Sequence, residues 1–200
     1  MSLLTTSDLS TTSDLSQSLV VGDQAGNNIT KITNYNKVDG VKPSQVNRLL
    51  KQLSEQIEKD ESMVGFVDDL QFFIDNRDGE TVVGLKAKLT ICGRSAAFGD
   101  AKKKKELFAK LLLKFERFSS AQQLFAYIMA AIHETFDSKI LPSAGSLSSQ
   151  QIDELIDTQI LDKIMAEIGD GSDHITLNRT HLKGMIYWLA DKCYVRWHCD

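Results

Sequence analysis

From Ser44 to about Asp191 the apolar residues return at helical spacing, segment after segment, and this periodicity constrains the fold more than any other feature. Val46, Leu49, Leu50, Leu53 and Ile57 share one helical face. Met63, Phe66, Val67, Leu70, Phe73 and Ile74 predict a second helix, which "NRDGE" ends. Leu85, Leu89 and Cys92 predict a short helix closing at Gly93, and Leu107, Phe108, Leu111, Leu112 and Phe115 form the stripe of the next. Ser119 and Ser120 are natural caps, because a short side-chain oxygen can accept from an orphan helical N–H. Behind them Leu124, Phe125, Ile128, Ile132 and Phe136 face inward, and that helix stops before Pro142. Ser148 or Ser149 caps a helix carrying Ile152, Leu155, Ile156, Ile160, Ile164 and Met165 and ending near Gly169; "LNRTHLKGMIYWLADK" is the last. The predicted class is mainly α, a multi-helix bundle of about six to seven helices.

Two segments read as β. "SLVV" and "ITKIT" flank the turn chemistry of "GDQAGNN", which predicts a short N-terminal β-hairpin over 18–36. "CYVRWHC" alternates, with Cys193, Val195, Trp197 and Cys199 on one side and Tyr194, Arg196 and His198 on the other, which predicts a C-terminal β-strand. The expected organisation is a disordered tail over 1–17, containing the tandem repeat "TTSDLSTTSDLS", then the hairpin, a linker over 37–43, and a helical domain over 44–200 ending in the strand. A lone two-stranded hairpin is marginal in water. It should gain order by pairing with the terminal strand or with the same segment of sister subunits. Val20, Val21, Gly22, Asp23, Ala25, Gly26, Ile29 and Ile32 are the oligomerisation residues this reading assigns, and a homo-oligomer is expected.

Composition and motifs restrict the chemistry. With 42% hydrophobic and 25% charged residues in 200, one domain with a sizeable core is expected. Three widely spaced cysteines, Cys92, Cys193 and Cys199, fit reduced thiols. The opening residues lack the basic and apolar regions of a signal peptide, and no apolar run approaches a membrane span, so a cytoplasmic protein is expected. Gly22 and Gly26 are not followed by the Lys-Ser/Thr of a P-loop, and a Gly-x-Gly-x-x-Gly spacing is absent. "DGSD" at 170–173 fails as a calcium loop, because Ile175 and His181 stand where glycine and glutamate are required. No cofactor is expected.

His174, His181, Cys193, His198 and Cys199 are the residues a zinc or thiol site could draw on, though their spacing matches no paired ligand motif. The basic run "KKKK" at 102–105 starts a helix on which Lys103, Lys110, Lys114 and Arg117 could contact DNA or an acidic partner. The net charge of −4 favours a solvated face instead.

Two end motifs carry a resemblance. The first is "GDQAGNNI", with Gly22, Asp23, Ala25, Gly26 and Ile29; the second is "GMIYWLADKCYVRW", with Gly184, Met185, Ile186, Tyr187, Leu189, Cys193 and Trp197. With "SSAQQLFAYIMAAIHETF" at 119–136 between them, the chain resembles the small proteins and C-terminal domains of bacterial ABC-three component systems. Tyr194 stands where a histidine would follow the cysteine, which weakens any Cys-His pair. The resemblance implies a part in prokaryotic defence against phage or plasmids, beside an SMC- or RecN-like ABC ATPase and a middle component. It also makes Tyr187, Trp188, Cys193 and Trp197 a structural C-terminal motif. The expectation is a non-enzymatic adaptor or assembly component of such a complex. The alternative is a small metal- or thiol-dependent enzyme using the C-terminal His/Cys cluster.

Overall fold

Ser44 sets the first helix: its hydroxyl accepts from Asn47 N–H at 3.1 Å, and α1 (Gln45–Glu58) follows with Val46, Leu49, Leu50 and Leu53 buried. The computed structural model describes residues 44–197. Along them follow α2 (Asp68–Ile74), α3 (Leu85–Ile91), α4 (Phe98–Phe115), α5 (Ser119–Thr135), α6 (Ser149–Ile156), α7 (Asp162–Ile168) and α8 (Arg179–Asp191). A π turn over Phe136–Ile140 prolongs α5, and another over Asp157–Leu161 joins α6 and α7 into one continuous run. Counted that way there are seven helices among the described residues, and no strand.

The core gathers around α5, which buries Leu124, Phe125, Ile128, Met129 and Ile132 and packs against α1, α2, α4 and α8. Phe108 of α4 sits edge-on to Phe125 of α5 at 5.8 Å and to Trp188 of α8 at 5.7 Å. Helices α4 and α8 approach closely at Gly184, where an added Cβ would lie 2.4 Å from the Lys104 carbonyl and 2.9 Å from Phe108 Cβ. Ser148 caps α6 in a reciprocal box with Gln151.

Several boundaries differ from expectation, and long polar side chains explain two of them. The helix expected from Met63 begins only at Asp68. Gln122, fully buried on α5, accepts from Val67 N–H at 2.6 Å and donates to the Gly65 carbonyl at 2.9 Å, while Met63 N–H bonds the Arg117 carbonyl. With Gly65 at φ +85°, the 63–67 backbone is paired outside any helix. Ser119 and Ser120 do not cap α5, which starts at Ser119. Gln56 of α1 caps it from outside, accepting from Ser120 N–H at 3.1 Å. Leu107 leaves the expected inward stripe and is 39% exposed.

The C-terminal strand is not formed over 193–197. Helix α8 ends in a Schellman arrangement: Tyr194 N–H bonds the Leu189 carbonyl at 2.8 Å, and Cys193 N–H bonds Ala190 at 3.3 Å. Cys193 takes φ +70°, the left-handed position usually held by glycine. Val195 N–H also reaches Leu189, and the Val195 carbonyl accepts from Lys88 Nζ at 3.1 Å. The Cys193, Tyr194 and Val195 N–H groups and the Val195 carbonyl are thus paired outside any strand. Cys193, Tyr194, Val195 and Trp197 are all buried, so the alternation has no two-sided counterpart. The tail over 1–17, the hairpin over 18–36, the linker over 37–43, and His198 and Cys199 lie outside the described residues.

Candidate functional site

The basic face divides into two sets. Lys102, Lys104 and Lys105 pair with Glu106, Asp100 and Asp191 at 3.8, 2.5 and 2.6 Å. Lys103, Lys110, Lys114 and Arg117 remain exposed; Lys114 lies over the Phe115 ring, and Arg117 lies over Phe118 and pairs with Asp60 at 3.1 Å. The run therefore does not present four uncompensated charges.

The C-terminal motif residues are brought into the architecture. Trp188 donates from Nε1 to the Phe73 carbonyl at 3.0 Å, tying α8 to α2. The Tyr194 hydroxyl bonds the Phe72 carbonyl, and Arg77 N–H bonds the Lys192 carbonyl at 3.0 Å. Trp197 meets Phe136 edge-on at 6.0 Å and Tyr187 at 6.1 Å. Burial pushes the Tyr187 phenol above its ordinary pKa, with Lys104 and Arg94 opposing it.

Two polar residues that the sequence reading passed over hold this assembly. Lys88 of α3 is fully buried, and burial pushes its ammonium below its ordinary pKa, against the opposing influence of Cys193 and Glu80. Its position three residues after Leu85 and one before Leu89, on the inward face, was the available signal. Asp191, at the end of α8, caps α3 from outside: Oδ1 accepts from Leu85 N–H at 3.0 Å and Oδ2 pairs with Lys105. Burial raises the Asp191 carboxyl, but the Lys105 ammonium and the Leu85 N–H outweigh it and hold it below the ordinary carboxylate value.

Beside that cap lies a groove of about 760 Å³ over α3 and α4. Its floor is apolar, from Val82, Leu85, Ala87 and Phe98, and Val83 and Ile91 stand at it 65% and 58% exposed. Lys86, Lys102 and Lys105 line its edge. Partly exposed as they are, Val83 and Ile91 each forgo a share of the roughly 1.5–3 kcal/mol that separates full exposure from full burial. A second groove between α2 and α5 shows Phe72, 58% exposed, with Asp68 and Asp69 nearby.

Of the alternative His/Cys cluster, His198 and Cys199 lie outside the described residues; among the described ones no group of three or more His, Cys, Asp or Glu is placed to hold an ion. His174 lies before α8 and His181 in its first turn; burial lowers the His181 pKa. No helix of the described residues is long and apolar enough to cross a membrane.

The groove over α3 and α4, the Asp191 cap and the C-terminal assembly fall almost wholly within one stretch that matches a family model. That model is C-terminal domain 9 of the ABC-three component (ABC-3C) systems, and it matches residues 84–197. No curated protein and no solved structure matches the chain. The match spans more than half of the 200 residues, from the N-cap of α3 through Trp197, and the chain belongs to the family of C-terminal domain 9 of the ABC-three component systems.

Proposed function

We propose that the protein is a non-enzymatic assembly component of an ABC-three component defence complex, and that the groove over α3 and α4 receives another component. The observation carrying this reading is the apolar floor with exposed Val83 and Ile91, placed at and within the matched stretch. The groove between α2 and α5 is built largely from residues before that stretch, so it is the weaker choice. Lys102 and Lys105 at the edge are already paired with Glu106 and Asp191, so the apolar floor and not the edge charge carries the proposal, and the partner segment it fits is apolar.

The partners proposed are the ABC ATPase and middle component of the same system. Self-association through residues 20–32 is proposed on turn and strand chemistry alone. The Lys103, Lys110, Lys114 and Arg117 face is read as solvated rather than DNA-bound, because the neighbouring lysines are already compensated. Co-expression with the ATPase and the middle component, followed by size-exclusion chromatography, tests the assembly role. Co-elution of all three, or of this chain with either one, supports it; elution of this chain alone at micromolar concentration overturns it. Light scattering of the isolated chain tests self-association, and a clean monomer across the same range rejects it.

A further inference from the structure

Outside the groove over α3 and α4, two further pairs of large apolar side chains stand in water, and the charges around the two pairs are opposite. The first pair lines the groove of about 540 Å³ between α2 and α5, where Phe72 is 58% and Tyr127 37% exposed, with Ala126 and Ala130 beside them. Asp68 and Asp69 line it as well, four and three residues before Phe72 and therefore on the same side of α2. Both aspartates are exposed, and neither forms an ion pair among the described residues.

The second pair is on the outer face of α4, where Leu113 is 63% and Leu107 39% exposed. Lys110 is three residues from each leucine, Lys114 follows Lys110 by four, and Lys103 precedes Leu107 by four. At about 3.6 residues per turn, the three lysines fall between the two leucines around the helix. Lys103 and Lys110 form no ion pair among the described residues, and Lys114 keeps its charge over the ring of its own neighbour, Phe115. The nearby Glu106 is taken by Lys102 at 3.8 Å, and Arg117 by Asp60 at 3.1 Å, so neither alters this balance.

Each surface therefore lacks what the other offers. A phosphate backbone would meet the lysines and leave Leu107 and Leu113 in water. A small cation would meet Asp68 and Asp69 and leave Phe72 and Tyr127 in water. An occupant that is both apolar and oppositely charged satisfies each surface in full, and this chain carries one for each. We propose that the outer face of α4 in one copy docks in the α2–α5 groove of a second copy. Leu107 and Leu113 then cover Phe72 and Tyr127, while Lys110 and Lys114 face Asp68 and Asp69. Unlike surfaces meet in such a contact, so each copy keeps one face of each kind for a further neighbour. The contact is separate from the groove over α3 and α4 and from any pairing through residues 20–32. Both faces are small, which places the association at the weak end, with a Kd on the order of 100 µM.

Sedimentation velocity of the full chain, from about 10 to about 500 µM, is the test. Self-association is expected over that range. Raising the salt from about 0.1 M to about 1 M shortens the screening length from about 10 Å to about 3 Å and should weaken it about tenfold. Two variants separate the faces. Lys110→Glu with Lys114→Glu reverses the α4 face, and Gln123→Lys with Ala130→Lys places cations in the groove without touching α2. All four positions are exposed, so the melting curves should match wild type. Should either pair not fold, Lys110→Glu or Ala130→Lys alone takes its place. Each variant by itself should associate at least about tenfold more weakly than wild type. Mixed together, they retain one intact face of each kind, so they should form a one-to-one pair at wild-type affinity that grows no further.

A wild-type chain that stays monomeric to about 500 µM overturns the proposal. Association of either variant at wild-type strength overturns it too, because the contact then lies in residues 20–32 or on another surface. So does a mixture of the two variants that forms no pair. None of these outcomes bears on docking at the groove over α3 and α4, since no other component is present.

Discussion

The segment after α8 and the surface over α3 and α4 come from opposite ends of the matched stretch and are joined through Lys88 and Asp191, yet they treat their apolar groups in opposite ways. After α8, Cys193, Tyr194, Val195 and Trp197 are all buried, and the Val195 carbonyl is held by a buried lysine. Over α3 and α4, Val83 and Ile91 are more than half exposed around an open apolar floor. The first region carries the residues that look most specific in sequence, and its packing explains them as architecture. The second contains no conspicuous motif, and its exposed surface has no account within the described residues. The more distinctive residues are therefore the less direct guide to what the domain touches.

If the terminal segment is architecture, altering it should cost stability first. Trp197→Ala removes a buried aromatic and should lower unfolding free energy by about 3–5 kcal/mol in denaturant titrations. A loss below about 1 kcal/mol would break the contrast, because it would mean that Trp197 packs weakly. Gly184→Ala comes next. Alanine ordinarily favours a helix over glycine by about 1 kcal/mol. Here its Cβ would lie 2.4 Å from the Lys104 carbonyl, so α4 and α8 must separate. A net loss of about 1–3 kcal/mol is expected.

Asp191 sits where the two regions join, and its effect should be smaller and dependent on pH. Asp191→Asn should cost about 1 kcal/mol near neutral pH, since it weakens the cap on Leu85 and removes the charge facing Lys105. Its folded-state pKa lies below the unfolded value of about 3.9. The stability it contributes is therefore present above that value and is lost as pH falls through the folded pKa. The difference between wild type and Asp191→Asn in thermal melts should shrink on acidification below about pH 4. A difference that stays constant would show that the carboxylate charge is not what matters.

Legibility in the sequence divides along similar lines. Regular burial was readable: the α1 face of Val46, Leu49, Leu50 and Leu53 is buried as spaced, α3 closes at Gly93, and Ser148 caps α6. Long-range polar partnerships were not. Gln56 capping α5, Gln122 holding the 63–67 backbone and Asp191 capping α3 join residues at least 55 positions apart, and no local pattern marks such pairs. "CYVRW" misled because alternation presumes two faces, whereas a left-handed turn at Cys193 folds this segment onto the core. Within the candidate groove, Lys86, Lys102 and Lys105 were visible as charges, but Val83 and Ile91 are exposed by the fold and not by any sequence signal.

The sharpest measurement pairs stability with assembly in one variant, Val83→Asp with Ile91→Asp. Both side chains are mostly in water, so the melting curve should stay within about 0.5 kcal/mol of wild type. The same variant, co-expressed with the ABC ATPase and the middle component, should no longer co-elute with them, because two carboxylates would lie in the apolar groove. Co-elution equal to wild type, with stability unchanged, would contradict the central claim that this groove is the docking surface.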